Sequence, residues 1–562
     1  MKSVNIDSNP TNILFNKDRS SGLYLADFDH RQTSPRLTLG SRWIGEDNRY
    51  NRKYLFRVVD MGYQTEYSSG DALRNVREAP HKQFRDTDHD YFCREIAYVK
   101  LEGEFVGNQL IGTHDQPAVL RTYLRPTNKE DDEIIASPDL ENGFMVGNLR
   151  DGNHKQGPPV TLEDRFVGFR TLICGASGFG KSTFVRNIGR YWLENKSYGV
   201  LIDDLKGEYV NDIKNQRGET VLGLKHHPSA GENLYLLTPY PAKYEDDPLI
   251  KSKTIKLDFH IDDIPPDGLG ELTTHLTDAQ RQFLDMYFDK PDLFSLLLRK
   301  NEHGGIFTKD WHTHFREFII AIKAQRKIVD SDNYKETNLD DFNPNSLKPI
   351  YGVRKHLVRL VNMPFITNVT GGSCLSRVRE LLKSGATIIV DKSGLTDPQK
   401  AVISTVLASE LYNHNEKYSS GNKKAQQKVI PFVYLVEEAH LLLSRERARE
   451  GSVFVNFAKT GRGFQIGVVA VTQRPSSVDI NILSQFDNYV TFRLTNKKDV
   501  DDLVRAKSEF EGYEGEIRTM ETGMAVTAFG EPTKVQSIKG FNWNEERAKS
   551  LLSKEQEKLK AN

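Results

Sequence analysis

The densest run of residues able to do chemistry is Thr171 to Thr183, Thr-Leu-Ile-Cys-Gly-Ala-Ser-Gly-Phe-Gly-Lys-Ser-Thr. Within it, Gly175-x4-Gly180-Lys181-Ser182 has the spacing of a phosphate-binding loop. Backbone N–H groups of Gly175, Ala176, Ser177, Gly178, Phe179 and Gly180 can close around the β-phosphate of a nucleoside triphosphate. Lys181 reaches the β- and γ-phosphates, and the hydroxyl of Ser182, followed by Thr183, offers a ligand to Mg2+. The expected ligands are ATP and Mg2+. Such a loop must leave a strand and enter a helix, so that the helix dipole faces the anion. Leu172–Cys174 supplies the apolar strand and Phe184–Leu193 the helical spacing. Glycines alone would equally make a tight turn; the strand–loop–helix order favours the phosphate loop.

A second stretch, Phe432-Val-Tyr-Leu-Val-Glu437-Glu438-Ala-His440, is an apolar strand ending in two acids. Downstream of a phosphate loop this is the pattern in which the first acid, Glu437, holds the metal shell and Glu438 polarises the attacking water. Two solvent-facing glutamates after a core strand are the plain alternative. The third stretch runs from Ala458-Lys459-Thr-Gly-Arg462-Gly463 through an apolar strand to Thr472-Gln473-Arg474-Pro475. Gln473, at the strand's end, suits a hydrogen bond to the γ-phosphate or the water. Arg462, among glycines, is placed either to cap a helix or to project as an arginine finger into a neighbour's site. His440 and His154 read as structural hydrogen-bonders.

These residues need a sheet to hold them. From about residue 160, apolar strands alternate with helices, the signature of a mostly parallel α/β sheet. Candidate strands are Gly199–Ile202, Thr387–Val390, Phe432–Val436, Ile466–Val471 and Tyr489–Leu494, with Met524–Phe529 and Val535–Ile538 as an edge hairpin. Before them, residues 1–150 carry short β-rich runs (Tyr54–Val59, Glu95–Leu101, Ala118–Leu124, Phe144–Val146) and predict a small β-barrel or sandwich. Arg150–Pro159, rich in glycine and proline, reads as a linker. The core is expected over 160–264 and 386–540, with a helical insertion at 265–385 and a charged helix or brace at 541–562. Within the insertion, Thr277–Gln280 is a capping box, Trp311–Ile322 has helical spacing, and Leu357, Leu360 and Val361 belong to another helix.

With 562 residues the chain exceeds one core. Its 77 basic and 77 acidic residues balance, which excludes a globally basic nucleic-acid coat and leaves room for a local basic lining. Lys206, Lys214, Arg217 and Lys225, and Arg445, Arg447 and Arg449, are candidates for phosphate contacts; the second group alternates with Glu446 and Glu450 and reads equally as a solvated helix face. No apolar run reaches about 18 residues, so no membrane helix is expected. The N-terminus lacks a signal-peptide core and the three cysteines show no metal spacing, which points to the cytoplasm.

Together, Gly175–Thr183, Asp203-Asp-Leu-Lys206-Gly207-Glu208-Tyr209, Glu437–His440, Lys459–Gly467 and Thr472-Gln-Arg-Pro-Ser476 make the chain resemble the HerA family of hexameric ATPases, kin to the FtsK-type DNA pumps. The resemblance implies a RecA-like P-loop domain behind an N-terminal barrel and a homo-hexamer with ATP sites between neighbours. It also implies double-stranded DNA in the central channel, Arg462 as the finger and Glu438 as the catalytic carboxylate. Family members work with a nuclease or sirtuin-like effector docked on the barrel face, in DNA end processing or antiphage defence. Phe179 stands where a small residue is usual, and Glu437 where Asp is commoner. Two other roles remain open: a nucleotide-switched scaffold that activates an effector, and a coupling or secretion ATPase.

Overall fold

The computed structural model describes residues 13–17, 23–28, 38–47, 49–65, 93–112, 122–136, 143–151, 155–214, 218, 220–260, 263–264, 363–367, 373–445, 452–530 and 534–540. The capping box at Thr277, the helical spacings around Trp311 and Leu357, His154, Arg217, Arg447, Arg449 and the C-terminal tail lie outside them. In chain order the elements used below are β1 (Ile13–Lys17), β2 (Tyr24–Phe28), β3 (Arg42–Asp47), β4 (Arg52–Thr65), β5 (Cys93–Val106), β6 (Gln109–Gly112), β7 (Tyr123–Pro126), β8 (Gly143–Asp151), β9 (Lys155–Glu163) and β10 (Arg170–Cys174). There follow α1 (Lys181–Glu194), β11 (Gly199–Asp204), β12 (Leu234–Thr238), β13 (Thr254–Lys256), α2 (Leu375–Lys383), β14 (Thr387–Asp391) and α3 (Asp397–Ser419). The last are β15 (Phe432–Val436), α4 (Val453–Thr460), β16 (Ile466–Thr472), β17 (Asn488–Phe492), α5 (Lys497–Ala506), α6 (Glu514–Thr519), β18 (Met524–Phe529) and β19 (Lys534–Gly540).

The chain divides into two units. One draws on Met1–Arg165, Thr171–Ile188 and Thr472–Asn542, the other on Phe166–Arg170, Gly189–Val471 and Trp543–Asn562. In the first, β1 to β7 form an antiparallel sheet in the order β2-β1-β7-β3-β4-β5-β6, and β2 pairs again with β5. Period-two alternation puts Tyr54, Phe56 and Val58 of β4 on one face. They pack with Trp43, Tyr24, Ala26, Val99 and Leu124 in an apolar core. Tyr54–Val59 and Glu95–Leu101 lie in β4 and β5, as their composition predicts, while the described strand near Ala118–Leu124 begins at Tyr123.

The same unit holds a second sheet in the order β10-β17-β18-β19-β8-β9. Two expectations are corrected here. Phe144–Val146 belongs to β8, which pairs with β19 and so joins the sheet of the glycine-loop strand, not the N-terminal one. Arg150–Pro159 is no linker: it is the β8–β9 hairpin, with Pro158 and Pro159 in the last strand of the order. An edge strand tolerates prolines because its outer N–H groups have no ladder partner to lose. The β18–β19 hairpin forms as expected but is interior, not at an edge, because β17 pairs with β18 and β8 with β19.

A buried ionic cluster ties the N-terminal sheet to α6 within this unit. Arg57 and Arg150 both pair with Glu516, while Arg42 pairs with Glu102 at 3.3 Å and donates to the Arg150 carbonyl at 2.9 Å. Tyr513 Oη donates to Glu102 at 2.5 Å, and its ring lies under the Arg57 guanidinium. Arg57 and Glu516 are 1% and 4% exposed, so neither charge is water-stabilised. Removing one partner of such a group leaves an uncompensated buried charge, at a cost of about 3–5 kcal/mol. Glu516→Ala is therefore expected to lower the unfolding free energy, measured by urea denaturation on a probe of the N-terminal sheet, by that amount. A change below about 1 kcal/mol would show the cluster to be energetically idle.

In the second unit, β13-β12-β14-β11-β15-β16 form an all-parallel sheet. Val200–Ile202, Ile388–Val390, Phe432–Val436 and Val468–Ala470 are buried, the near-continuous apolar runs of strands covered on both faces. Of the expected insertion, residues 363–367 and 373–385 are described; α2 is helical there, with Leu375, Val378, Leu381 and Leu382 buried.

Candidate functional site

The glycine loop lies in the first unit, between β10 and α1. Gly175 has φ +152°, and a Cβ there would lie 2.5 Å from Cβ of Phe492, so only glycine fits. The loop is anchored on both sides: Gly175 N donates to the Thr472 carbonyl at 3.3 Å and Ala176 N to the Arg493 carbonyl at 2.8 Å. Lys181 Nζ donates to the carbonyls of Gly175 at 2.6 Å and Ala176 at 2.9 Å, folding the cation back over the loop. Ser182 and Thr183 are half-buried at the start of α1. Gln473 follows Thr472, whose carbonyl accepts the Gly175 N–H.

Phe179 fills the position where small residues are usual. Its carbonyl accepts from Gly523 N at 3.0 Å, and its ring carries the Arg493 guanidinium at 5.2 Å. Sequence reasoning has no handle on Arg493, because a lone arginine after a strand carries no spacing signal.

The acidic pair lies in the second unit at the end of β15. Glu437 is half-buried and each of its oxygens accepts one hydrogen bond: Tyr209 Oη donates to Oε1 at 2.5 Å and Leu205 N to Oε2 at 3.2 Å. The Asp-Leu-Lys-Gly-Glu-Tyr turn that supplies these donors is itself folded around Asp204. That carboxylate accepts from the N–H groups of Lys206, Gly207, Glu208 and Tyr209 at 2.7–3.2 Å. Beneath it, Asp203 pairs with buried Lys392 at 2.6 Å and accepts from Ser404 at 2.7 Å and Tyr434 at 3.1 Å. Glu438 has a left-handed backbone, φ +46°, rare for a residue with a Cβ. It turns the chain sharply off the strand, and its carboxylate lies 3.3 Å from His440 Nδ1. Strain of this kind gathers at functional sites.

Burial pushes the Glu437 carboxyl up to about 7, with the Asp204 charge acting in the same direction and the Tyr209 and Leu205 bonds opposing. Burial likewise raises Asp204 to about 6. In metal-free protein, folding thus retains protons that the unfolded chain releases above its ordinary carboxyl range. That stabilisation is complete below about 4.5 and is lost as pH rises through about 7. Glu437→Gln keeps an oxygen for Tyr209 and removes the charge. In EDTA it is expected to stabilise the protein at pH 8 by about 1–3 kcal/mol and to change little at pH 5. A melting point lowered at pH 8 would contradict this.

Arg462, in the second unit, stands in the turn Gly461–Phe464 after α4. It is exposed, with its guanidinium 5.1 Å from the Phe169 ring centre, and among the described residues it makes no ion pair. Of the basic residues considered for DNA, Lys206 and Lys214 are exposed, whereas Lys225 is paired with Asp247 at 2.7 Å. Cys174 and Cys374 are buried, and burial lifts both thiols to about 12. Among the described residues no helix is long and apolar enough to cross a membrane, and no cluster of three or more His, Cys, Asp or Glu is placed to hold a metal.

Residues 144–411 match the family model of the helicase HerA central domain. The chain is 26% identical over 253 residues to the DNA double-strand break repair helicase HerA of Sulfurisphaera tokodaii, covering 42% of this chain and 49% of that protein. It is 21% identical over 491 residues to the protein of the same name from Pyrococcus furiosus, covering 81% and 79%. The first match thus spans less than half of that relative's length. Among solved structures, the bacterial conjugative coupling protein TrwB aligns at 12% identity with a TM-score of 0.42, over 71% of this chain and 94% of that one, a likeness too loose to bear on function. In its central part, which carries the glycine loop, the chain is similar to the HerA helicases.

Proposed function

We propose that the protein is an ATP-hydrolysing hexameric ring motor that moves double-stranded DNA for a partner nuclease or other effector, in DNA end processing or antiphage defence in the cytoplasm. The observation that carries this reading is the anchored glycine loop with Lys181 folded over it, in a chain that matches the HerA central domain. In this reading the parallel sheet belongs to a RecA-like core. The N-terminal sheet closes as a barrel, which the extra β2–β5 pairing supports, and offers its face to the effector.

The residues suit the nucleotide. Loop N–H groups and Lys181 bind its phosphates, and Ser182 and Glu437 offer hard oxygen donors to Mg2+, which takes few protein ligands and keeps its waters. When bound, the metal neutralises phosphate charge. Glu438 orients and polarises the attacking water, Gln473 hydrogen-bonds the γ-phosphate or that water, and Arg462 completes the neighbour's site.

The test is displacement of a triplex-forming strand from duplex DNA under ATP. Displacement that requires ATP and a free duplex end supports the motor. Hydrolysis without displacement, accompanied by activation of an effector, would replace it with the nucleotide-switched scaffold.

A further inference from the structure

Arg493 lies at the end of β17, beside the glycine loop and outside every motif assigned above. Its backbone is fixed to the loop, because its carbonyl accepts the Ala176 N–H at 2.8 Å. The side chain is half-buried and rests on the ring of Phe179, itself a loop residue. Among the described residues its buried Nε has no hydrogen-bond partner and no carboxylate pairs with the guanidinium. A buried donor left unmade costs about 1–3 kcal/mol. A cation over a phenyl face returns roughly 0.5–2 kcal/mol and gives the N–H groups no acceptor. The protein therefore holds a cation next to an anion-binding loop without supplying its counter-charge. A guanidinium also differs from Lys181 in kind: its planar fork of donors matches the oxygens of one phosphate group.

We propose that Arg493 is a phosphate-binding residue of the same nucleotide site, acting from the chain that carries the loop. Phe179 holds the side chain beside the loop until the nucleotide supplies its acceptor. This explains why a bulky aromatic residue occupies a loop position where a small one is usual: the ring is the guanidinium's resting platform. The inference rests on the nucleotide reading above.

Its test is binding without turnover, measured calorimetrically with ATPγS, ADP, AMP and GTPγS on the full chain. Wild type is expected to bind ATPγS, and Lys181→Ala is expected to lose that binding. Arg493→Ala should weaken ATPγS by about tenfold or more, ADP by less and AMP not at all, and should weaken GTPγS as much as ATPγS. Arg493→Lys should recover part of the loss, and both variants should match the wild-type melting point without nucleotide. Equal affinities of wild type and Arg493→Ala for ATPγS overturn the inference and leave the nucleotide reading standing. A loss that is independent of phosphate number but differs between adenine and guanine overturns it as well, because the arginine then contacts the base. A lowered melting point without nucleotide that Arg493→Lys restores, with unchanged affinity in that variant, assigns the residue to folding and overturns it too. Wild type that binds no nucleotide overturns both readings.

Discussion

Lys181→Ala is expected to bring ATP turnover to background while the protein stays folded. The side chain is only 9% exposed, and its ammonium is bound to the carbonyls of Gly175 and Ala176. Those two bonds are local, and water can replace them at a loop surface, so stability should change by less than about 1 kcal/mol. The consequence for the nucleotide is much larger. Hydrogen bonds to charged groups are worth about 1.5–3 kcal/mol each, and the lysine is positioned to make them to phosphate oxygens as charge develops during transfer. A loss of 100-fold or more in phosphate release follows. Lys181→Arg should fare little better, because a planar guanidinium does not reproduce the compact ammonium that bonds the Gly175 and Ala176 carbonyls. The measurements are steady-state phosphate release and thermal melting, made on the same preparations. Turnover within tenfold of wild type would remove the loop from the chemistry.

Much of this was legible from residue order alone. The strand, loop and helix around Gly175 read directly, because a phosphate loop demands that local context and glycine at its closest approaches. The apolar strands of the parallel sheet read as continuous runs because both faces are covered. Chain pairing was less legible. Phe144–Val146 looks like one more short β-run of the N-terminal region, and nothing local says that its partner is β19, far along the chain. Arg150–Pro159 misleads for a definite reason: glycine and proline signal a loop in most settings, yet an edge strand accepts both. The buried pairs Arg57–Glu516 and Asp203–Lys392 were equally hidden, since charged residues in a sequence read as surface until a fold encloses them. Arg493 escaped because its meaning comes from Phe179 and Ala176, which lie more than 300 positions earlier.

Glu438→Gln and Arg462→Ala are each expected to cut turnover by about 100-fold or more, and to restore one another partially when mixed. The singles are expected to fail for different reasons. Glu438 sits on a left-handed backbone at the tip of β15, with its carboxylate beside His440, so Gln keeps the shape and removes the charge proposed to polarise water. Arg462 is exposed, with its guanidinium over the Phe169 ring face, and exposed guanidiniums contribute little to stability, so its loss should leave melting unchanged. Documented fingers supplied in trans account for about 10³–10⁵ in rate. In a ring built from heterologous contacts, each site takes one face from each of two neighbours. Co-expressed in equal amounts under different tags, the two variants would assort at random. In the proposed ring a site is whole when its own subunit carries Glu438 and its neighbour carries Arg462, which holds for about one quarter of sites by that assortment. Turnover near that fraction of wild type, with each pure variant near background, is the expected result. A mixture no faster than the pure variants, in rings shown to contain both tags, would place Arg462 and Glu438 in the same subunit's site or remove the arginine from catalysis. The double variant Glu438→Gln/Arg462→Ala mixed with wild type is the control: sites shared between neighbours are whole for about one quarter, whereas sites built within one subunit would be whole for about one half by the same assortment.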